Sequence, residues 1–208
     1  MMRLVWGEVT PEAAIPDFGE EFLQHIQSKN NPQVYAASLT AWNLLANEIK
    51  KMGLSLPEVR FEENGKPYFP NFGLFKTDFS LQNSNFSRIS DAFSSNSGLY
   101  FSISHSGGLA AVMISDFPCG VDVEMIRPEV SEKLYARCMH PEEIRAGMDF
   151  FEAWTKKECL AKLSGKGMPG HPSTINTLEY TGWHTEKILD SHDRPYILSA
   201  ITEKAPKD

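Results

Sequence analysis

The chain has no long apolar run: no window approaches the roughly 20 residues that a membrane-spanning helix needs, and the short apolar stretch after Met1 is broken by Glu8. It has only three cysteines, Cys119, Cys138 and Cys159, widely spaced and without a Cys-x-x-Cys pair, which argues against a disulfide framework and for a reducing compartment. It has no excess of positive charge. A net charge of −7 in 208 residues argues against a general nucleic-acid or anionic-membrane surface, leaving room for local basic spots. It also lacks a Walker loop, a dinucleotide fingerprint, a Gly-x-Ser-x-Gly elbow and a zinc-ligand cluster; His184 and His192 have no metal-site partners at useful spacing. The expectation from these absences is a cytosolic protein with neither membrane nor nucleic acid as partner. At 41% hydrophobic and 23% charged residues, the chain can bury a core as one large domain or two small lobes.

The most informative stretch present is Phe150–Lys162. It has no Pro or Gly before Gly165, is rich in Ala, Leu, Lys and Glu, and reads as a helix. At about 100° per residue, Phe151, Trp154, Glu158 and Lys162 share one stripe. Glu158 and Lys162 are either an ordinary stabilising i,i+4 pair, worth roughly 0.2–0.5 kcal/mol, or half of a reactive site. The second reading needs another anionic element, and Gly120-Val121-Asp122-Val123-Glu124 supplies one. In a strand, Asp122 and Glu124 point to the same face with Cα atoms about 6.6 Å apart. Such carboxylates are solvated on an exposed face, or bridged by a hard divalent ion, magnesium best, on an inward one.

The remaining pattern places strands at Leu4–Val9, 59–61, 99–105, 109–114 and 121–125. Helices are expected at 18–27, 34–52 and 131–138, with a further helix starting near Pro141. Further strands are expected at Thr177–Thr181, Trp183–Leu189 and Tyr196–Thr202. Between Ser80 and Gly98 stand seven Ser and three Asn, and residues 70–98 read as a long loop. Trp42 falls on the apolar face of its helix, where core packing is the usual role. Gly65-Lys66-Pro67 makes a tight turn, with Lys66 either solvated or held toward a ligand. Ser104-His105-Ser106, at a strand end beside Gly107-Gly108, suits an anion or caps a turn.

Taken in order, Gly65-Lys66-Pro67, Ile103-Ser104-His105-Ser106, Gly120–Glu124 and Trp154-Thr155-Lys156-Lys157-Glu158-Cys159-Leu160-Ala161-Lys162 resemble the motifs of the 4′-phosphopantetheinyl transferase superfamily, in its monomeric surfactin-synthetase-activating (Sfp) type. The resemblance implies an α+β fold of two similar pseudo-symmetric lobes, each a small mostly antiparallel sheet packed with helices. The active site would lie between lobes 1–106, including loop 70–98, and 107–208. It implies transfer of 4′-phosphopantetheine from coenzyme A to a serine of an acyl or peptidyl carrier protein, in fatty-acid, polyketide or nonribosomal peptide synthesis, with release of adenosine 3′,5′-bisphosphate. Mg2+, or Mn2+ in its place, would be held by Asp122, Glu124 and Glu158. Glu158 and Lys162 would be catalytic. Lys66, Ser104 and His105 would bind phosphates of coenzyme A, with Lys157 near the pantetheine arm, and Glu143 matches a further acid. Family members commonly carry an Arg where this chain reads Gln33–Ser38, leaving Lys29, Lys50 and Lys51 as candidates to compensate. Two other classes fit the same residues: a non-catalytic relative that binds coenzyme A or a carrier protein, and another Mg2+-dependent phosphoryl-transfer enzyme.

Overall fold

The computed structural model describes residues 1–70 and 98–203; most of the Ser/Asn-rich segment therefore lies outside the described residues. Two three-stranded antiparallel sheets are each backed by one long helix. In the first sheet, β1 (Met2–Glu8) and β4 (Tyr100–Ser106) flank β5 (Leu109–Ser115). In the second, β6 (Cys119–Met125) and β7 (His184–Leu189) flank β8 (Pro195–Thr202). A small ribbon, β2 (Arg60–Phe61) with β3 (Pro67–Tyr68), carries the Gly-Lys-Pro turn. The α+β class with antiparallel sheets is the class expected from the motifs.

The helices form where local chemistry starts and stops them. After α1 (Glu20–Gln27), α2 (Pro32–Lys51) begins at Asn31, whose side chain accepts from the Gln33 and Val34 N–H groups, with Pro32 in the first turn. Its Leu39, Trp42, Leu45 and Ile49 are at most 1% exposed and pack on Phe18, Phe22 and alternate residues of β5. Two short helices, α3 (Glu132–Cys138) and α4 (Pro141–Arg145), lead to α5 (Phe150–Ser164). Asp149 caps α5 by accepting from Phe151 N and Glu152 N, and Gly165 ends it in the left-handed conformation at φ 70°.

Strand β5 is buried along its whole length and divides its side chains between two cores. Ala110, Val112 and Ile114 face α2, whereas Leu109, Ala111 and Met113 face β6 and β8, the period-two alternation of a strand between layers. Because β5 is the central strand of the first sheet, the chain changes sheet between Ser115 and Cys119. One expectation is corrected at 177–181, expected as a strand: Thr177–Glu179 is a 3-10 turn. Asn176 accepts from Leu178 N, and Glu143 takes both the main-chain and side-chain donors of Thr177, so the segment's hydrogen bonds are used locally.

Two close approaches hold the site together. A side chain at Gly120 would meet the Cys159 carbonyl oxygen at 2.1 Å, so β6 and α5 touch backbone to backbone. Between the sheets, the edge strands β4 and β6 run alongside one another, joined by serine hydroxyls. Ser102 Oγ accepts from Val121 N (3.0 Å), Ser104 Oγ from Val123 N (3.3 Å) and Ser106 Oγ from Met125 N (3.2 Å).

Candidate active site

A cleft of about 830 Å3 opens between the two sheets. One wall comes from β6 and α5 and presents Asp122, Glu124, Glu158 and Lys162, with Phe151 and Trp154 continuing the α5 stripe. The stripe read from helical spacing is therefore the cleft-facing side of α5. Asp122, 6% exposed, accepts from Lys162 Nζ at 2.8 Å and from Ser104 Oγ at 2.7 Å. Lys162 Nζ also donates to the Val121 carbonyl at 2.9 Å. Glu124 accepts from Arg127 Nη2 at 2.8 Å. Burial pushes the Glu158 carboxyl above its ordinary value, and the charges of Asp122 and then Glu124 add to the rise while Lys162 opposes it.

The facing wall contributes His105 from β4, Lys29 just beyond α1, and Ser38 and Trp42 from α2. Burial lowers the His105 pKa, and the nearby charges of Lys162 and Lys29 lower it further. Of the three candidate compensating cations, Lys29 lines this cleft; Lys51 is paired with Glu48. Trp42 is a core residue as expected, 1% exposed, although one edge of it reaches the cleft. Its indole N–H is the one buried side-chain polar atom without a partner among the described residues.

Three residues expected to bind coenzyme A, Lys157, Lys66 and Ser104, are engaged by the protein itself. Lys157 is fully buried and does not line the cleft: its ammonium is surrounded by Glu143 Oε2 (2.7 Å) and the carbonyls of Cys138 (2.8 Å), Ile175 (2.8 Å) and Pro172 (3.2 Å). The α5 turn that aims Glu158 into the cleft aims its neighbour Lys157 inward. Glu143, equally buried, is its counter-ion and closes a capping box on His140. Lys66 is half-buried and does not line the cleft. Gly65 and Pro67 line the cleft, but Lys66 Nζ donates to the Leu163 carbonyl at 3.0 Å, while Asn64 donates to the Gly165 carbonyl. The turn thus caps the C-terminal end of α5, where a cation is favoured. Ser104 is also engaged, by Asp122 and Val123, rather than open to an anion.

Sequence reasoning missed the serine seam and the Arg127 partner of Glu124. The signals were present: serines at every second position of β4, and an Arg three residues beyond the acid. The three cysteines are free and buried; burial raises the Cys119 pKa to about 12, so it offers no thiolate. Among the described residues, no helix is long and apolar enough to cross a membrane.

Among the described residues, no group of three or more His, Cys, Asp or Glu side chains stands arranged to hold a metal ion. The donor chemistry nevertheless suits a hard divalent cation. Asp122, Glu124 and Glu158 offer carboxylate oxygens on one wall; burial first, and the charges of Asp122 and Glu124 after it, raise the Glu158 pKa.

Comparison with known proteins bears on the same region. Residues 118–207 match the model of the 4′-phosphopantetheinyl transferase superfamily. The chain is 30% identical over 112 residues to the 4′-phosphopantetheinyl transferase psf-1 of Bacillus pumilus, covering 50% of this chain and 48% of that protein. It is 26% identical over 107 residues to the 4′-phosphopantetheinyl transferase Sfp of Bacillus subtilis strain 168, covering 47% and 48%. To the 4′-phosphopantetheinyl transferase AcpT of Escherichia coli O157:H7 it is 29% identical over 121 residues, covering 53% and 50%. The resemblance read from the motifs is borne out over this segment: residues 118–207 are similar to the 4′-phosphopantetheinyl transferase superfamily, and the Sfp type fits the Bacillus proteins that the chain matches. The chain spans about half the length of the curated relatives it matches.

Proposed function

We propose that this protein transfers the 4′-phosphopantetheine group of coenzyme A to a serine hydroxyl of an acyl or peptidyl carrier protein. The observation that carries this reading is the convergence of Asp122, Glu124, Glu158 and Lys162, from β6 and α5, on one wall of a cleft large enough for a nucleotide-sized ligand. These residues lie within the segment similar to the transferase superfamily.

In this reading the two sheets, each with its helix, are the two lobes, and coenzyme A lies between them with its phosphates toward His105 and Lys29. Asp122, Glu124 and Glu158 would hold Mg2+, or Mn2+ in its place. When bound, the ion neutralises charge that builds on the phosphate oxygens as the leaving group departs. The serine oxygen bonds to the β-phosphorus, the bond from that phosphorus to the bridging oxygen breaks, and adenosine 3′,5′-bisphosphate leaves with the oxygen. Glu158, directly or through a water, accepts the serine proton. Lys162, fixed between Asp122 and the Val121 carbonyl, directs its charge at the bridging oxygen. With Lys66 and Lys157 both engaged elsewhere, Lys29 takes over the cationic role facing the phosphates.

Intact-mass spectrometry of a panel of apo carrier proteins, incubated with the protein, coenzyme A and Mg2+, tests the proposal. A gain of one phosphopantetheine that EDTA abolishes supports it. Coenzyme A binding without a gain on any carrier would instead favour a non-catalytic relative, and phosphate-bond cleavage without a carrier would favour a different phosphoryl-transfer enzyme.

A further inference from the structure

The seam between the two sheets is built from side chains where main-chain pairing would be usual. Strand β4 is one edge of the first sheet and β6 one edge of the second, so each presents unpaired main-chain groups to the other. Serines at every second position of β4 meet the N–H groups at every second position of β6, in ascending order along both strands. Of the three rungs, those of Ser102 and Ser106 end, among the described residues, at the N–H group. Ser104 differs: its oxygen accepts from Val123 N while its own hydrogen is donated to Asp122 Oδ1 at 2.7 Å. Ser102 and Ser104 are equally buried, each 7% exposed, so Ser104 is singled out by its second contact.

We infer that Ser104 is a positioning residue for Asp122: the rung to Val123 fixes its hydroxyl, and the hydroxyl fixes the carboxylate orientation against Lys162. The inference rests on the reading of Asp122 as a cation-holding acid, and it assigns Ser104 to the carboxylate rather than to the phosphates of coenzyme A. The neutral O–H donor leaves the second carboxylate oxygen free for a ligand.

The test uses the full chain, with Mn2+ binding read by electron paramagnetic resonance and coenzyme A binding read by calorimetry in EDTA. Ser104→Ala is expected to weaken Mn2+ binding about 10–100-fold, the usual cost of removing a partner of a ligating carboxylate, with coenzyme A binding in EDTA unchanged. Ser102→Ala and Ser106→Ala remove a rung each and should lower the melting temperature as Ser104→Ala does, but leave Mn2+ affinity as it is. Ser104→Thr, which keeps the hydroxyl, should restore Mn2+ binding. Should the alanine variant not fold, Ser104→Cys fills the same space with a poor donor and carries the same expectation. Equal Mn2+ affinity in Ser104→Ala and Ser102→Ala overturns the inference. So does a loss of coenzyme A affinity in EDTA with Mn2+ binding intact, which would put Ser104 on the substrate. A wild-type protein that binds neither Mn2+ nor coenzyme A removes the reading of the site and this inference with it.

Discussion

The two sides of α5 carry the same chemistry with opposite results. On the sealed side, Lys157 and Glu143 form an ion pair with both side chains wholly buried. On the open side, Lys162 pairs with Asp122 at a similar distance, 2.8 Å, but with 28% of the lysine side chain exposed. The sealed pair has every lone pair and proton engaged, by Thr177 and His140 on the acid and by three carbonyls on the ammonium. It ties α4 and the 172–177 connector to α5, and nothing that enters the cleft reaches it. The open pair has only part of its capacity filled and faces a cavity. A charge pair is thus structural or reactive according to how completely its partners are supplied, and sequence spacing does not report that.

The sharpest break of this contrast is Lys157→Ala. Leaving Glu143 buried and uncompensated is expected to destabilise the fold by about 3–5 kcal/mol, measured by urea unfolding. A near-neutral result would mean that the sealed pair is not sealed. The mirror experiment, Lys162→Ala, should cost less stability than Lys157→Ala, because the lysine is partly solvated and Ser104 still donates to Asp122, while the transfer rate falls by about 100-fold or more. A fall in stability without loss of rate would reverse the roles of the two lysines.

Next in size, the two acids should respond to pH with opposite sign. Burial alone would raise the Glu143 pKa, but the donors from Lys157, Thr177 and His140 outweigh it and hold the carboxyl below the ordinary 4.5. Its stabilising contribution is therefore present above pH 4.5 and is lost as pH falls through the depressed value. Glu158 is raised above 4.5, so its contribution is present below that pH and is lost as pH rises through the elevated value. Unfolding measured across pH in EDTA should show that Glu158→Gln removes the fall on the alkaline side. Glu143→Gln should remove the acid-side loss. The same slope in both variants would refute the contrast.

The smallest effect concerns His105. Its imidazole should titrate below 6.5 by NMR and be neutral at pH 7. Because Lys162 depresses it more than Lys29 does, Lys162→Ala should raise its pKa further than Lys29→Ala. The reverse order would move Lys29 closer to the imidazole than the structure has it.

Period and spacing made much of this legible. Helical spacing identified the cleft-facing stripe of α5, and strand alternation identified Asp122 and Glu124 as neighbours on one face. What stayed illegible depended on contacts distant in sequence. Lys66 meets Leu163, and Lys157 meets Ile175; a turn lysine and a motif lysine look the same whether or not a carbonyl waits for them. Ser104 was noticed as a polar residue at a strand end. Its task depends on a second strand edge lying alongside, which no local pattern in β4 can announce. The 177–179 segment misled because its strand-forming residues are outweighed by hydrogen bonds to Asn176 and Glu143.

Gly120 has a consequence beyond packing. A hydrogen in place of a methyl group there lets the backbone of β6 rest on the carbonyl of Cys159, one residue past Glu158 and two residues before Asp122. The gap between the acids of the strand and the acid and ammonium of the helix is therefore gauged at a point that carries no functional group. Any larger residue would wedge strand and helix apart and widen the reactive corner without altering one of its members. The smallest residue in the motif acts as its calliper.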